Sequence, residues 1–77
     1  MDVYILTNLG RKAIPGLRKL GDELDASILE FLERTDGATE NQVAEAFDIS
    51  VDVAYDKLRS LSAKRWVWRR TTRAVPF

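Results

Sequence analysis

The stretch Asn41–Leu61, NQVAEAFDISVDVAYDKLRSL, leaves the chain little choice of local structure. Val43, Ala44 and Phe47 recur at the spacing of one helical face, and so do Ala54, Leu58 and Leu61. Only Asp48, Ile49 and Ser50 separate the two patterns. Thr39 and Gln42 form a capping box at the start of the first helix, and Glu40 suits the positive end of its dipole. Ser50 is a strong N-cap for the second helix, which should run to about Lys64. Asp48 falls where the turn needs φ > 0; glycine is commonest there, and aspartate is among the few alternatives. Ile49 serves as an apolar plug. The spacing thus predicts two helices joined by a tight turn.

The flanking segments are read the same way. In DELDASILEFLERT, Leu24, Ile28, Phe31 and Leu32 share a helical stripe, with Glu23, Glu30, Glu33 and Arg34 largely off it. Asp22 is placed to cap that helix and Gly37, just past Asp36, to stop it. Val3–Thr7 is rich in strand formers, and NLGRKAI follows as one or two helical turns from a Thr7 cap. Gly10, Pro15 and Gly16 argue against one long helix there. Trp66–Arg70 reads as a strand, RTTR as a turn, and Ala74–Phe77 as a returning strand, with Pro76 suited to an edge. Val67 should join the helical core. Trp66 and Trp68, on the other strand face, then require cover, from Tyr4 and Leu6 of the first strand or from a second subunit.

The expected fold is mainly α with a small β-sheet (α+β): a three-helix core, a C-terminal β-hairpin and an N-terminal strand. At 77 residues it is a single domain, with the strand and connecting segment of residues 1–21 packed on residues 22–77. A domain this small buries only about 60% of the surface its unfolded chain exposes.

Composition narrows the function. Without cysteine or histidine, disulfides, thiolate chemistry, the usual zinc sets and the commonest general base are all removed. No glycine-rich phosphate cradle is present, and the carboxylates fall on helix exteriors, so neither an enzyme nor a metal or cofactor site is expected. No apolar run approaches the roughly 20 residues of a membrane span, and no signal segment opens the chain, so the expected compartment is the cytoplasm. The formal net charge is zero, yet the charges are segregated. Between Asp22 and Asp56 eleven acids face Arg34 alone, whereas no acid follows Asp56 and Lys57, Arg59, Lys64, Arg65, Arg69, Arg70 and Arg73 do. Either these blocks neutralise each other in the fold or they create local fields.

Residues Asn41–Arg70 resemble the winged helix-turn-helix domains of bacterial and archaeal transcriptional regulators of the MarR and ArsR type. Val43-Ala44 match the first helix of the motif, FDIS its turn, VAYDKLRSL its recognition helix, and KRWVWRR the approach to the wing. YILTNLGRKAI is similar to the strand and helix that follow the wing in many such regulators, although here it lies at the N-terminus, which would set the first strand beside the wing. The chain has Asp48 and Arg65 at two positions where the family usually has glycine. The resemblance implies that double-stranded DNA is the partner, with the helix from Ser50 in the major groove. It places base contacts at Val51, Asp52, Tyr55, Asp56 and Arg59, and backbone contacts on a wing carrying Arg69, Arg70, Thr71, Thr72 and Arg73. It also implies a homodimer on a palindromic operator.

Several of these residues admit a second reading. Asp52 and Asp56 suit the cytosine amino group in the major groove. Alternatively, Asp52 favours the first helical turn by about 0.3–1 kcal/mol and Asp56 pairs with Arg59 at i+3. Tyr55 offers a hydroxyl to a base or phosphate, or leans on the hairpin. The wing arginines suit phosphates and the minor groove, or else pair with the acidic helices. The competing function is a winged-helix protein-interaction module that uses the acidic helices and Trp66/Trp68.

Overall fold

The computed structural model describes residues 2–71. In chain order these form β1 (Asp2–Leu6), α1 (Asn8–Leu20), α2 (Glu23–Thr35), α3 (Glu40–Phe47), α4 (Val51–Ala63) and β2 (Val67–Thr71). Among the described residues four helices pack with one two-stranded antiparallel sheet, a mainly helical α+β fold.

The α3–α4 pair follows its local chemistry. Gln42 N–H donates to Thr39 Oγ1 at 3.2 Å and Thr39 N–H donates to Gln42 Oε1 at 2.9 Å, the reciprocal capping box. Asp48 turns the chain in the left-handed region at φ 53°, and Ile49 N–H returns to the Ala44 carbonyl at 3.0 Å. Ser50 Oγ then accepts from Val53 N–H at 3.1 Å and opens α4. Ala54, Leu58 and Leu61 of α4 are buried against Val43 and Ala44 of α3 and against α2, whose buried stripe is Ala26, Ile28, Leu29 and Leu32. Burying one such leucine contributes about 1.5–3 kcal/mol. Phe31 and Phe47 close the α2–α3 contact edge to face, with ring centroids 5.6 Å apart. Asp22 occupies the N-cap position of α2, but its side chain makes no capping hydrogen bond.

The N-terminal segment corrects one expectation. α1 is a single helix through Pro15 and Gly16, not one or two turns. Its Thr7 cap is as expected, Oγ1 accepting from Gly10 N–H at 3.0 Å. An internal proline costs about 3 kcal/mol in an isolated helix. Here tertiary contacts hold both sides of it: Arg11 meets Glu33 of α2 at 2.7 Å, Arg18 meets Glu23 at 2.6 Å and also Glu30, and Leu17 is buried.

The sheet corrects two more. β2 pairs with β1 in the register Tyr4 to Arg69, Ile5 to Trp68 and Leu6 to Val67. Directly opposed residues share a face, so Tyr4, Leu6, Val67 and Arg69 point one way and Val3, Ile5, Trp68 and Arg70 the other. Val67 enters the core as expected, but Tyr4 and Leu6 lie on its side and leave Trp68 62% exposed. Trp66 precedes the strand, half-buried on the core, with Lys64 Nζ 4.9 Å from its ring centroid. Arg70 and Thr71 belong to the paired strand instead of opening a turn. The expected returning strand, Ala74–Phe77, lies outside the described residues.

One seam joins the two ends of the chain. Thr7 N–H donates to the Trp66 carbonyl at 3.1 Å and Thr7 Oγ1–H to the Arg65 carbonyl at 2.8 Å. Arg65 itself sits at φ 64°, in the left-handed region that glycine adopts most readily.

Candidate nucleic-acid interface

Because α4 buries Ala54, Leu58 and Leu61, helical periodicity turns Asp52, Asp56 and Arg59 outward and sets Tyr55 at the flank. Val51, in line with the buried stripe, is uncovered in the first turn, and all five are exposed. Val51 and Val53 are each 43% exposed, an apolar fringe beside the two aspartates. Asp52 lies in the first turn, where the helix dipole favours it. Among the described residues no ion pair joins Asp56 to Arg59, so the pairing offered for Asp56 is not made.

β2 packs beside α4, and pleating sends its arginines to opposite sides. Arg69 shares the inner face with Tyr4, its Nε 3.5 Å from Asp2 Oδ2. Arg70, exposed on the outer face, is opposite Val3, and the exposed Thr71 is opposite Asp2. Thr72 and Arg73 lie outside the described residues. The structure therefore brings Arg69, Tyr55 and Arg59 together and leaves Arg70 on the other side of the sheet.

Their meeting place is a hollow of about 210 Å³ between α4 and the sheet, lined by Tyr4, Tyr55, Arg59, Ser62, Ala63 and Arg69. Tyr55 thus leans toward the strands while staying 36% exposed. Tyr4 is held by two backbone hydrogen bonds with Ala38, at 2.8 and 3.1 Å. Burial, with Glu40 and other negative neighbours outweighing Arg69, raises the Tyr4 phenol above its ordinary 10.0, so it remains a neutral donor. Tyr4, Ser62 and Ala63 were not among the residues expected at the site. The i, i+4, i+7 spacing of Tyr55, Arg59 and Ser62 carries part of that signal.

The acidic helices are partly spoken for. Glu23, Glu30 and Glu33 of α2 face the arginines of α1. Asp25 Oδ1 is buried 3.1 Å from Lys57 Nζ of α4, at an angle unsuited to a hydrogen bond. Among the described residues no group of three or more acidic side chains is arranged to hold a metal ion, and no helix is long and apolar enough to cross a membrane. Comparison with protein-family models, with curated proteins and with solved structures found no match.

Proposed function

We propose that the chain is a cytoplasmic, non-catalytic winged-helix protein that binds double-stranded DNA and acts as a small transcriptional regulator. The observation that carries this reading is the uncovered outer face of α4, presented by a capped three-residue turn beside a strand bearing Arg69, Arg70 and Thr71. In this reading α4 enters the major groove with Tyr55 and Arg59, while Asp52 and Asp56 face cytosine amino groups. Arg69, Arg70 and the segment after Thr71 hold the flanking backbone, and a homodimer matches a palindromic operator.

Titrating the labelled protein with a generic duplex, followed by two-dimensional amide NMR, tests it. Shifts centred on Val51–Arg59 and Arg69–Arg73 are expected. Affinity should fall steeply between about 50 and 200 mM salt, with a slope near −0.9 per neutralised phosphate. Silence of both segments at low salt rejects DNA binding.

One observation favours the competing reading, a protein-interaction module: Trp68 is 62% exposed beside Ile5 on the outer sheet face. A contact made there would resist salt. The α2 half of the acidic surface serves that reading poorly, since α1 already pairs with it.

A further inference from the structure

The hollow between α4 and the sheet has a chemistry of its own. Its polar lining consists of two guanidinium groups, two phenols and the Ser62 hydroxyl. All of these donate hydrogen bonds, and the guanidiniums only donate. Among the described residues none of these side chains is engaged in a hydrogen bond. Two acids approach the hollow: Asp2, whose carboxylate lies 3.5 Å from the Nε of Arg69, and Glu40, whose charge acts on the Tyr4 phenol. A donor set of this kind complements an anion with several oxygens, which two planar guanidiniums can grip from different directions.

Size narrows the ligand. At about 210 Å³ the hollow is smaller than the roughly 300–1,000 Å³ of sites that enclose a whole small molecule. It suits one charged group of a larger molecule lying across the surface. We propose that the hollow is a phosphate-binding site, filled by one phosphodiester of the duplex when the chain sits on DNA. The source of the phosphate rests on the function proposed above; the phosphate chemistry rests on the hollow alone. Anchoring at Arg59 puts the phosphate at the C-terminal half of α4. Asp52, seven residues earlier, is then about 10 Å away along the helix, near one Debye length at physiological salt. Asp56 is the closer acid and marks the boundary between the backbone-holding and base-facing parts of the helix.

The full chain, isotope-labelled, is titrated with inorganic phosphate against chloride at matched ionic strength, and separately with a generic duplex. Both should shift the amides of Tyr55, Ser62 and Arg69. Arg59→Gln, on an exposed helix face, should weaken phosphate binding roughly tenfold. The same variant should reduce the duplex salt slope by about 0.9. Arg69→Lys should weaken phosphate binding less than Arg59→Gln, and Lys12→Gln on α1 should leave both titrations unchanged. If phosphate shifts the hollow and the duplex shifts nothing, the phosphate site is supported and the DNA reading falls. If the duplex shifts Val51–Asp56 while the hollow stays silent in both titrations, the phosphate site is overturned and the DNA reading survives. Equal weakening by Lys12→Gln and Arg59→Gln also overturns the site, because it reports net charge alone.

Discussion

The arginines of α1 and those of α4 and β2 meet opposite fates. α1 lies against α2, so Arg11 finds Glu33 and Arg18 finds both Glu23 and Glu30. Arg59 and Arg69 instead converge on one hollow, where Asp2 meets Arg69 from the other end of the chain and Glu40 acts on Tyr4. The difference lies in which elements the fold makes neighbours. Where a basic helix packs on an acidic one, segregated charge cancels. Where β2, from the acid-free end of the sequence, packs beside the part of α4 that follows Asp56, it accumulates. A run of like charge thus acquires meaning only once its neighbour is known.

The largest expected effect falls on the seam that holds the two regions together. A Cβ added at Gly10 would lie 2.1 Å from the Trp66 carbonyl oxygen, a backbone atom fixed by the Thr7 hydrogen bond. Gly10→Ala should therefore cost about 3 kcal/mol, the upper part of the overpacking range. At this domain size that lowers Tm by more than 10 °C, roughly. Gly16, in the same helix with nothing near its missing Cβ, is the control. Gly16→Ala should stabilise by about 0.5–1 kcal/mol. Thermal melts of the pair test this, and equal melts would show that α1 does not depend on the close approach to β2.

Next in size is the ion pair between the two regions, Lys57 of α4 with Asp25 of α2. Asp25 Oδ1 is buried without a hydrogen bond, so removing the ammonium leaves a carboxylate oxygen poorly solvated. Breaking a fully buried pair costs about 3–5 kcal/mol. Here the two side chains are still 39% and 19% exposed, which reduces the expected cost of Lys57→Met to about 1–2 kcal/mol. Urea denaturation measures it, and the double variant with Asp25→Asn should recover part of the loss. A neutral Lys57→Met would mean that water already solvates Asp25, and that no charge contact between the regions matters to stability.

What was legible in the sequence follows the same division. Ser50, the Thr39–Gln42 box, the left-handed Asp48 and the Ala54-Leu58-Leu61 stripe act over four to seven residues, and each stands where its local chemistry puts it. Arg65 has the left-handed backbone that glycine serves in the family resembled. Pro15 misled because its local cost is met by the packing of α1 on a different helix, with Leu17 buried and Arg11 and Arg18 paired across the contact. The covering of Trp68 misled because it turns on register: one residue of shift exchanges the two faces of a strand, and nothing local fixes the pairing of β1 with β2. The hollow was half legible for the same reason. Its α4 wall is a helical spacing, whereas Tyr4 and Arg69 come together across 65 positions of chain.

The smallest effects sharpen the contrast most. Arg18→Gln removes two exposed ion pairs on the cancelled face, and at about 0.5 kcal/mol each, the middle of the range for exposed pairs, a loss of about 1 kcal/mol is expected. Arg59→Gln removes a charge that has no ion-pair partner among the described residues and sits beside Arg69. Its stability should stay within about 0.5 kcal/mol of the parent and lean toward a gain, because like charge is relieved. High salt should shrink the Arg18 loss and the Arg59 gain together, since both are screened. Chemical denaturation of the two variants at low and high salt measures these differences. If Arg59→Gln costs as much as Arg18→Gln, the guanidinium is structural and the two faces are alike. If it costs nothing, the fold does not depend on the charge at the hollow, and the phosphate titration decides what that charge serves.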